Sequence, residues 1–165
     1  MAVTVVAGTS IMFHYTTSSL FNECKLLTSY RARTIMDQAG KNDWDEFTLT
    51  EGEEDFFDNC MDYVVAEIFA ELAKIAVGIS DSVFIDEGSV NPESGFSIAD
   101  NEAYDANLLD IIEKRIRKCF VLYVIKEWWG HTALDNIWQQ HEAQYNLAVR
   151  EMKKKAWTLI KPLMS

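Results

Sequence analysis

Glu127 and His131 lie four residues apart, and His141 with Glu142 follows shortly after. A carboxylate and an imidazole four apart on a helix share a face and can hold a metal ion, and helical bundles that do so repeat a Glu-x-x-His pattern on facing helices. No such repeat occurs in this chain, and Gly130 is expected to break the helix between Glu127 and His131. His141 falls on an apolar stripe, where a core histidine with one hydrogen-bond partner is expected instead of a ligand. The loop around Asp43 and Asp45 lacks the third ligand and the glycine that a calcium loop needs at fixed places, so it reads as a solvated acidic loop. Cys24, Cys60 and Cys119 are far apart, odd in number and set among apolar residues. They are expected to be buried, reduced thiols of a cytosolic compartment, and no CxxC or paired Cys/His spacing points to zinc. No nucleophile elbow, phosphate loop, HExxH or dinucleotide fingerprint occurs. The expectation is a protein that is not an enzyme, with no catalytic residue, cofactor or metal.

The elements that would position these residues are mostly helical. Residues 3–16 are rich in Val, Thr, Ile, Phe and Tyr and read as one or two strands turning near Gly8. Ser18 or Ser19 can cap a first helix running to about Ala39, with Leu20, Leu27, Tyr30 and Ile35 as its apolar positions and Gly40 as its stop. KNDWDEF reads as a loop. Thr50 and Glu53 have capping-box spacing and open a second helix to about Val77. Its stripe of Phe57, Met61, Val64, Ile68, Leu72 and Ile75 is widened by Phe56, Cys60, Val65 and Phe69, which predicts a central helix. Glu54, Asp55, Asp58, Asp62 and Glu71 occupy its outer face.

Residues 78–99 break the helical pattern, with SVFID and GFSI flanking a turn-rich stretch. They read as a β-hairpin or an extended arm able to pair with the N-terminal strand or with a neighbouring subunit. Asp100 or Asn101 can cap a third helix running to Trp129, with the stripe Leu109, Ile112, Ile116, Cys119, Phe120 and Tyr123. Gly130 fits the position just past its end, and Thr132 with Asp135 opens a fourth helix. That helix carries Leu134, Trp138, His141, Tyr145, Ala148, Met152, Ala156 and Leu159 on one stripe, and Pro162 stops it. The expected fold class is mainly α: a bundle of about four helices with a small β-hairpin and N-terminal strand element. All 165 residues form one domain on this reading, comprising a strand arm (1–17), helices 1 and 2 (18–77), a hairpin insertion (78–99), helices 3 and 4 (100–161) and a tail (162–165).

Charge is divided along the chain. Residues 37–110 hold 20 acids and two lysines, a net of −18, whereas residues 111–165 hold ten Lys/Arg and five acids, a net of +5. Such polarity can orient a subunit against its own copy, acidic half to basic half. The run Lys153, Lys154, Lys155 reads as a solvated face near a helix C-terminus, and no basic recognition helix for sequence-specific DNA reading stands out. Trp128, Trp129, Trp138 and Trp157, with Tyr123 and Tyr145, serve either the core or a subunit interface, where Trp and Tyr are enriched. No apolar run reaches membrane-spanning length, and the N-terminus does not read as a signal peptide.

The segment LTEGEEDFFDNCMDYVVAEIFAEL, and RIRKCFVLYVIKEWW followed by DNIWQQHEAQYNLAVREMKK, resemble the helical head–tail connector proteins of tailed bacteriophages over about residues 50–160. The resemblance implies a virion subunit at the head–tail junction, made in the host bacterial cytoplasm. It would form a ring with copies of itself, usually of twelve, dock on the portal, contact other tail or ring proteins, and let DNA pass without sequence preference. It implies no membrane partner. Trp157, Leu159, Ile160, Leu163 and Met164 match the family's portal-docking C-terminal segment. Asp43, Asp45, Glu46, Glu54, Asp55, Asp58 and Asp62 would face the channel, where acids let a polyanion slide. Val83, Phe84, Ile85, Phe96 and Ile98 of the hairpin would meet a neighbouring subunit. The N-terminal strand and the 78–99 insertion exceed the simple family pattern. Two other readings fit the same residues: a soluble helical adaptor that binds a single protein partner, and a helical-bundle enzyme with a metal between its helices.

Overall fold

Leu109, Ile112, Ile116, Phe120 and Val124 recur at three- and four-residue steps and are all buried, as are Cys119, Val121, Ile125 and Trp129. One helix carries them, α3 (Ala106–His131), and a helix apolar over so wide an arc must be covered on several sides. Three helices do this: α1 (Thr17–Gln38), α2 (Glu54–Ala73) and α4 (Asp135–Ile160). A computed structural model gives this architecture and describes residues 2–6, 10–40, 44–73, 79–85, 93–99, 106–132 and 135–160. The fold is mainly α, a four-helix bundle with a small β element. No helix among the described residues is long and apolar enough to cross a membrane.

The β element is a four-stranded antiparallel sheet of β1 (Ala2–Val6), β2 (Ser10–Thr16), β3 (Ile79–Ile85) and β4 (Glu93–Ala99), in the order β1-β2-β4-β3. Thus the 78–99 segment pairs with the N-terminal strand of its own chain, Phe13 opposite Phe96 and Ile11 opposite Ile98. Phe13 and Tyr15 alternate on one face of β2 and are buried. The Tyr15 ring stands edge-on to Phe120 at 5.0 Å, and its hydroxyl donates to the Glu113 carbonyl at 3.2 Å. These contacts seat the sheet on α3.

Polar ties run from α3 to the other elements. Arg117 donates from Nε and Nη2 to Glu23 Oε2 of α1 at 2.9 and 2.6 Å, and from Nη2 to Ser19 Oγ at 3.1 Å. Arg115 pairs with Glu151 of α4. Trp128 Nε1 donates to the Phe47 carbonyl at 2.9 Å, which holds the segment between α1 and α2 against the bundle. Thr28, buried on α1, accepts from the Leu49 amide at 3.2 Å and fixes the same segment from the other side.

Several expectations hold in detail. Phe57, Met61, Val64, Ile68 and Leu72 are buried, and the Thr50–Glu53 capping box is formed, Glu53 Oε2 accepting from the Thr50 amide at 2.7 Å. Gly40 ends α1 with φ of 67°. The three cysteines are buried and free.

Others need correction. The capping box opens a 3-10 turn at Glu51–Glu53, and α2 begins only at Glu54. Residues 44–47, expected as loop, form a second 3-10 turn. Leu27 and Tyr30 are exposed; the core face of α1 is Leu20, Phe21, Cys24, Thr28 and Ala32. The helix packed against all the others is α3, not α2. Ile75, Leu134 and the proposed cap at Asp100 or Asn101 lie outside the described residues.

The corner between α3 and α4 differs most. Helix α3 continues through Gly130 to His131, so Gly130 is not a left-handed stop. A Cβ there would sit 3.1 Å from Trp138 Cδ1, so the glycine permits the close approach of the α4 indole. The Thr132 hydroxyl donates back to the Trp129 carbonyl at 2.9 Å and closes the end of α3, and residues 133 and 134, between it and α4, lie outside the described residues.

Two outcomes follow for stability. Arg117→Ala is expected to lower the unfolding free energy by about 2 kcal/mol, because Glu23 loses a largely buried partner. Lys114→Ala removes only the exposed pair with Asp110 and is expected to cost far less than Arg117→Ala. Equal losses in urea unfolding would overturn that ranking. Gly130→Ala is expected to destabilise the wild type yet to stabilise a Trp138→Leu background by up to about 1 kcal/mol, the ordinary alanine advantage inside a helix. Strictly additive effects in the double-mutant cycle would show that the indole is not the reason for the glycine.

Candidate interaction surface

The continuation of α3 through Gly130 puts Glu127 and His131 on one helical face, four residues apart. Both line a groove of about 360 Å³ between α2 and α3, with Phe56, Asn59, Cys60, Tyr63 and Tyr123. Phe56 forms its inner end, edge-on to Trp128 at 5.6 Å and to His131 at 5.2 Å. The Lys126 ammonium lies over Tyr123 at 4.4 Å and Tyr145 at 5.2 Å, and bonds Glu127 at 2.7 Å. Burial, reinforced by Glu127, pushes the Tyr123 phenol up to about 12, so it stays a hydrogen-bond donor at neutral pH. Burial likewise pushes the Cys60 thiol up to about 12, again with help from Glu127, which leaves no thiolate to act as a nucleophile. Cys119 is raised to about 12 and Cys24 higher still, burial leading in each. Among the described residues no three His, Cys, Asp or Glu side chains lie close enough to hold a metal ion. The groove offers aromatic faces and a carboxylate, which suit an apolar or cationic side chain of a partner.

On other faces of α2, Glu54, Asp55, Asp58 and Asp62 are exposed, Glu54 and Asp58 lining a cleft against α1, and Asp45 and Glu46 are exposed on the 3-10 turn at 44–47. Partial burial raises the Asp58 carboxyl, and Asp62, Glu54 and Asp55 add like-charge repulsion. Asp43 lies outside the described residues. The outer face of α4 has the opposite character: Leu147 is 53% exposed and Trp157 47%, with Arg150 and Lys154 exposed between them. Leu159 and Ile160 continue the α4 backbone to its end, while Leu163 and Met164 lie outside the described residues. Val83, Phe84 and Ile85 belong to β3, which among the described residues is paired on one side only, and Phe96 and Ile98 belong to the interior strand β4. The acids of α2 and the basic strip of α4 therefore sit on different helices, and the strand residues sit on the sheet.

Of the aromatic residues at the corner, Trp129 and Tyr145 are buried, Trp128 and Trp138 are half-buried, and Trp157 alone among the described tryptophans stands largely in water. The sequence reading missed Tyr63 and Leu147, both exposed. Each falls between the stripe positions of its helix, Tyr63 between Met61 and Val64 and Leu147 between Tyr145 and Ala148, and that offset is the signal that would have found them.

His141 is only half-buried, its ring parallel to that of Trp129 at 6.3 Å between centroids. Neither ring nitrogen has a partner in good hydrogen-bond geometry, and a weak bond to Gln144 is what answers to the single partner expected from sequence. Burial first, then the Arg31 guanidinium of α1, hold the imidazole below its ordinary 6.5; Gln144 pulls the other way without prevailing.

Compared with known protein families, curated proteins and solved structures, the chain matches none.

The folded state keeps His141 neutral where the unfolded chain takes up a proton, so acid favours unfolding. Stability is expected to fall as the pH drops through 6.5 towards the lowered folded-state value, and to level off below it. His141→Gln should flatten that part of the profile in urea unfolding at a series of pH values. An unchanged slope would remove His141 as the cause.

Proposed function

We propose that the chain is a structural, self-assembling virion protein of the head–tail connector class, a ring subunit that docks on the portal and continues the DNA channel towards the tail. The observation that carries this reading is the large apolar side chains left in water on every helix: Leu26 and Tyr30 on α1, Tyr63 on α2, Ile111 on α3, Leu147 and Trp157 on α4. Scattered exposed apolar residues are ordinary, but Leu26 and Tyr30 share a face of α1, and such a face favours burial against another chain. The divided charge supports the same reading, since it gives copies of one chain complementary surfaces.

On this reading Trp157, at the exposed end of α4, leads the portal-docking segment. Asp45, Glu46 and Glu54, acids without a cationic partner, suit a channel wall along which a polyanion slides without sticking. The residues of β3, at the end of the sheet, offer an edge to a neighbour. A second reading, an adaptor that binds one partner, draws on the aromatic groove between α2 and α3, which has room for a single side chain or short peptide segment.

Negative-stain imaging with mass photometry, with and without co-expressed portal, separates the two. Rings, or portal decorated with the chain, are expected, and Trp157→Ala should weaken portal capture at least about tenfold while leaving the helical circular dichroism spectrum unchanged. Uniform monomer under both conditions would exclude the connector and leave the adaptor.

A further inference from the structure

We propose that copies of this chain contact one another through two unlike faces, the Leu147–Arg150–Lys154 strip of α4 on one copy and the Asp55–Asp58–Asp62 row of α2 on the next. The inference rests on the connector reading only in taking a second copy as the occupant. Its basis is a complementarity of unpaired groups. Of the twelve described Lys and Arg side chains, six are engaged in these ion pairs, Lys25 with Glu51, Lys114 with Asp110, Arg115 with Glu151, Arg117 with Glu23, Lys126 with Glu127 and Lys153 with Glu71, while exposed Lys118 on α3 is not. Arg150 and Lys154 have no such partner, and neither has Asp55, Asp58 or Asp62.

Spacing matches as well as sign. Arg150 and Lys154 are four residues apart, as are Asp58 and Asp62, so each pair spans about 6 Å along its helix axis at about 1.5 Å per residue. Two packed helices can then set both cations against both acids at once. Leu147, three residues before Arg150 on the same face and 53% exposed, adds an apolar flank to the basic strip. Cations drawn in beside Asp58 would also relieve the repulsion it feels from Asp62, Glu54 and Asp55. A contact between unlike faces leaves each copy with one face of each kind to offer, so it propagates to a closed ring or a filament. The assignment takes Asp55, Asp58 and Asp62 from the channel wall and leaves Asp45, Glu46 and Glu54 to it.

The test uses two charge-reversed full-length variants, Arg150→Glu/Lys154→Glu and Asp58→Lys/Asp62→Lys, all at exposed positions. Sedimentation velocity at about 50 mM salt is the readout, since exposed charges are weakly screened there. Wild-type chain should assemble, each variant alone should associate on the order of 100-fold more weakly, and an equimolar mixture of the two should assemble again, since every contact in an alternating array is complementary. Variants that assemble like wild type, a mixture that stays apart, or wild-type chain that stays monomeric at every concentration would each overturn the contact. Circular dichroism confirms that the variants are folded. Portal capture reports on the connector reading separately: a monomeric variant that still binds portal preserves that reading whatever the mixture does, and wild-type filaments that never close preserve the contact while excluding the ring.

Discussion

The structure depends on the burial of α3. Its apolar arc is too wide for one neighbour to cover, so α1, α2, α4 and the sheet all pack around it. Burial alone does not fix direction or register, because a smooth apolar surface tolerates sliding. The polar ties do. Arg117 reaches α1, Arg115 reaches α4, the Glu113 carbonyl takes the Tyr15 hydroxyl from β2, and Trp128 reaches the turn before α2. Each pairs one group of α3 with one group elsewhere, and each becomes expensive to leave unmade once its surroundings are dry. Because these four ties lie along a single rigid element, the positions of the other elements relative to one another follow from it.

This explains which parts were legible in the sequence. The stripes of α2, α3 and α4 were readable because the side facing α3 demands apolar residues at helical spacing, and Phe57 through Leu72 and Tyr145 through Ala156 comply. The α1 stripe was not. Thr28 sits buried on it because its hydroxyl donates to Cys24 O at 2.9 Å and accepts from Leu49, whereas Leu26 and Tyr30 face water. A polar core residue satisfied by a distant loop leaves no periodic trace. Gly130 misled for a related reason. Glycine after a helical run ordinarily marks a stop, but here it accommodates the Trp138 ring, a tertiary contact eight residues on that local pattern cannot express. The strand segments were identifiable from their residue types, yet their assembly into one sheet joins residues 10–16 to 93–99, across a span where sequence pattern carries no pairing information.

The candidate site was partly legible, and unevenly so. The acids of α2 and the lysines of α4 were visible as a charge division, since charge can be counted without knowing the fold. The groove between α2 and α3 was not, because it combines Phe56 and Tyr63 of one helix with Tyr123, Glu127 and His131 of another. Which cations are left over was equally hidden. Lys153 and Lys154 are adjacent and chemically identical, yet Lys153 turns to Glu71 of α2 while Lys154 is left to solvent. One hundred degrees of helical rotation separates an internal tie from a surface charge.

That rotation bears on how a small chain can carry both a stable core and an adhesive surface. Helix α4 places Tyr145, Ala148, Met152 and Ala156 in the core, Glu151 and Lys153 at its edges as ties to α3 and α2, and Leu147, Arg150, Lys154 and Trp157 outward. The edge pairs saturate the charges nearest the core, so the outward charges are the ones without partners. A change at Arg150 or Lys154 therefore leaves the internal ties intact, whereas a change at Glu151 or Lys153 disturbs them. Folding and association thus draw on separate faces of one helix, and the outward face is free to be selected for what it meets without loss of the bundle that presents it.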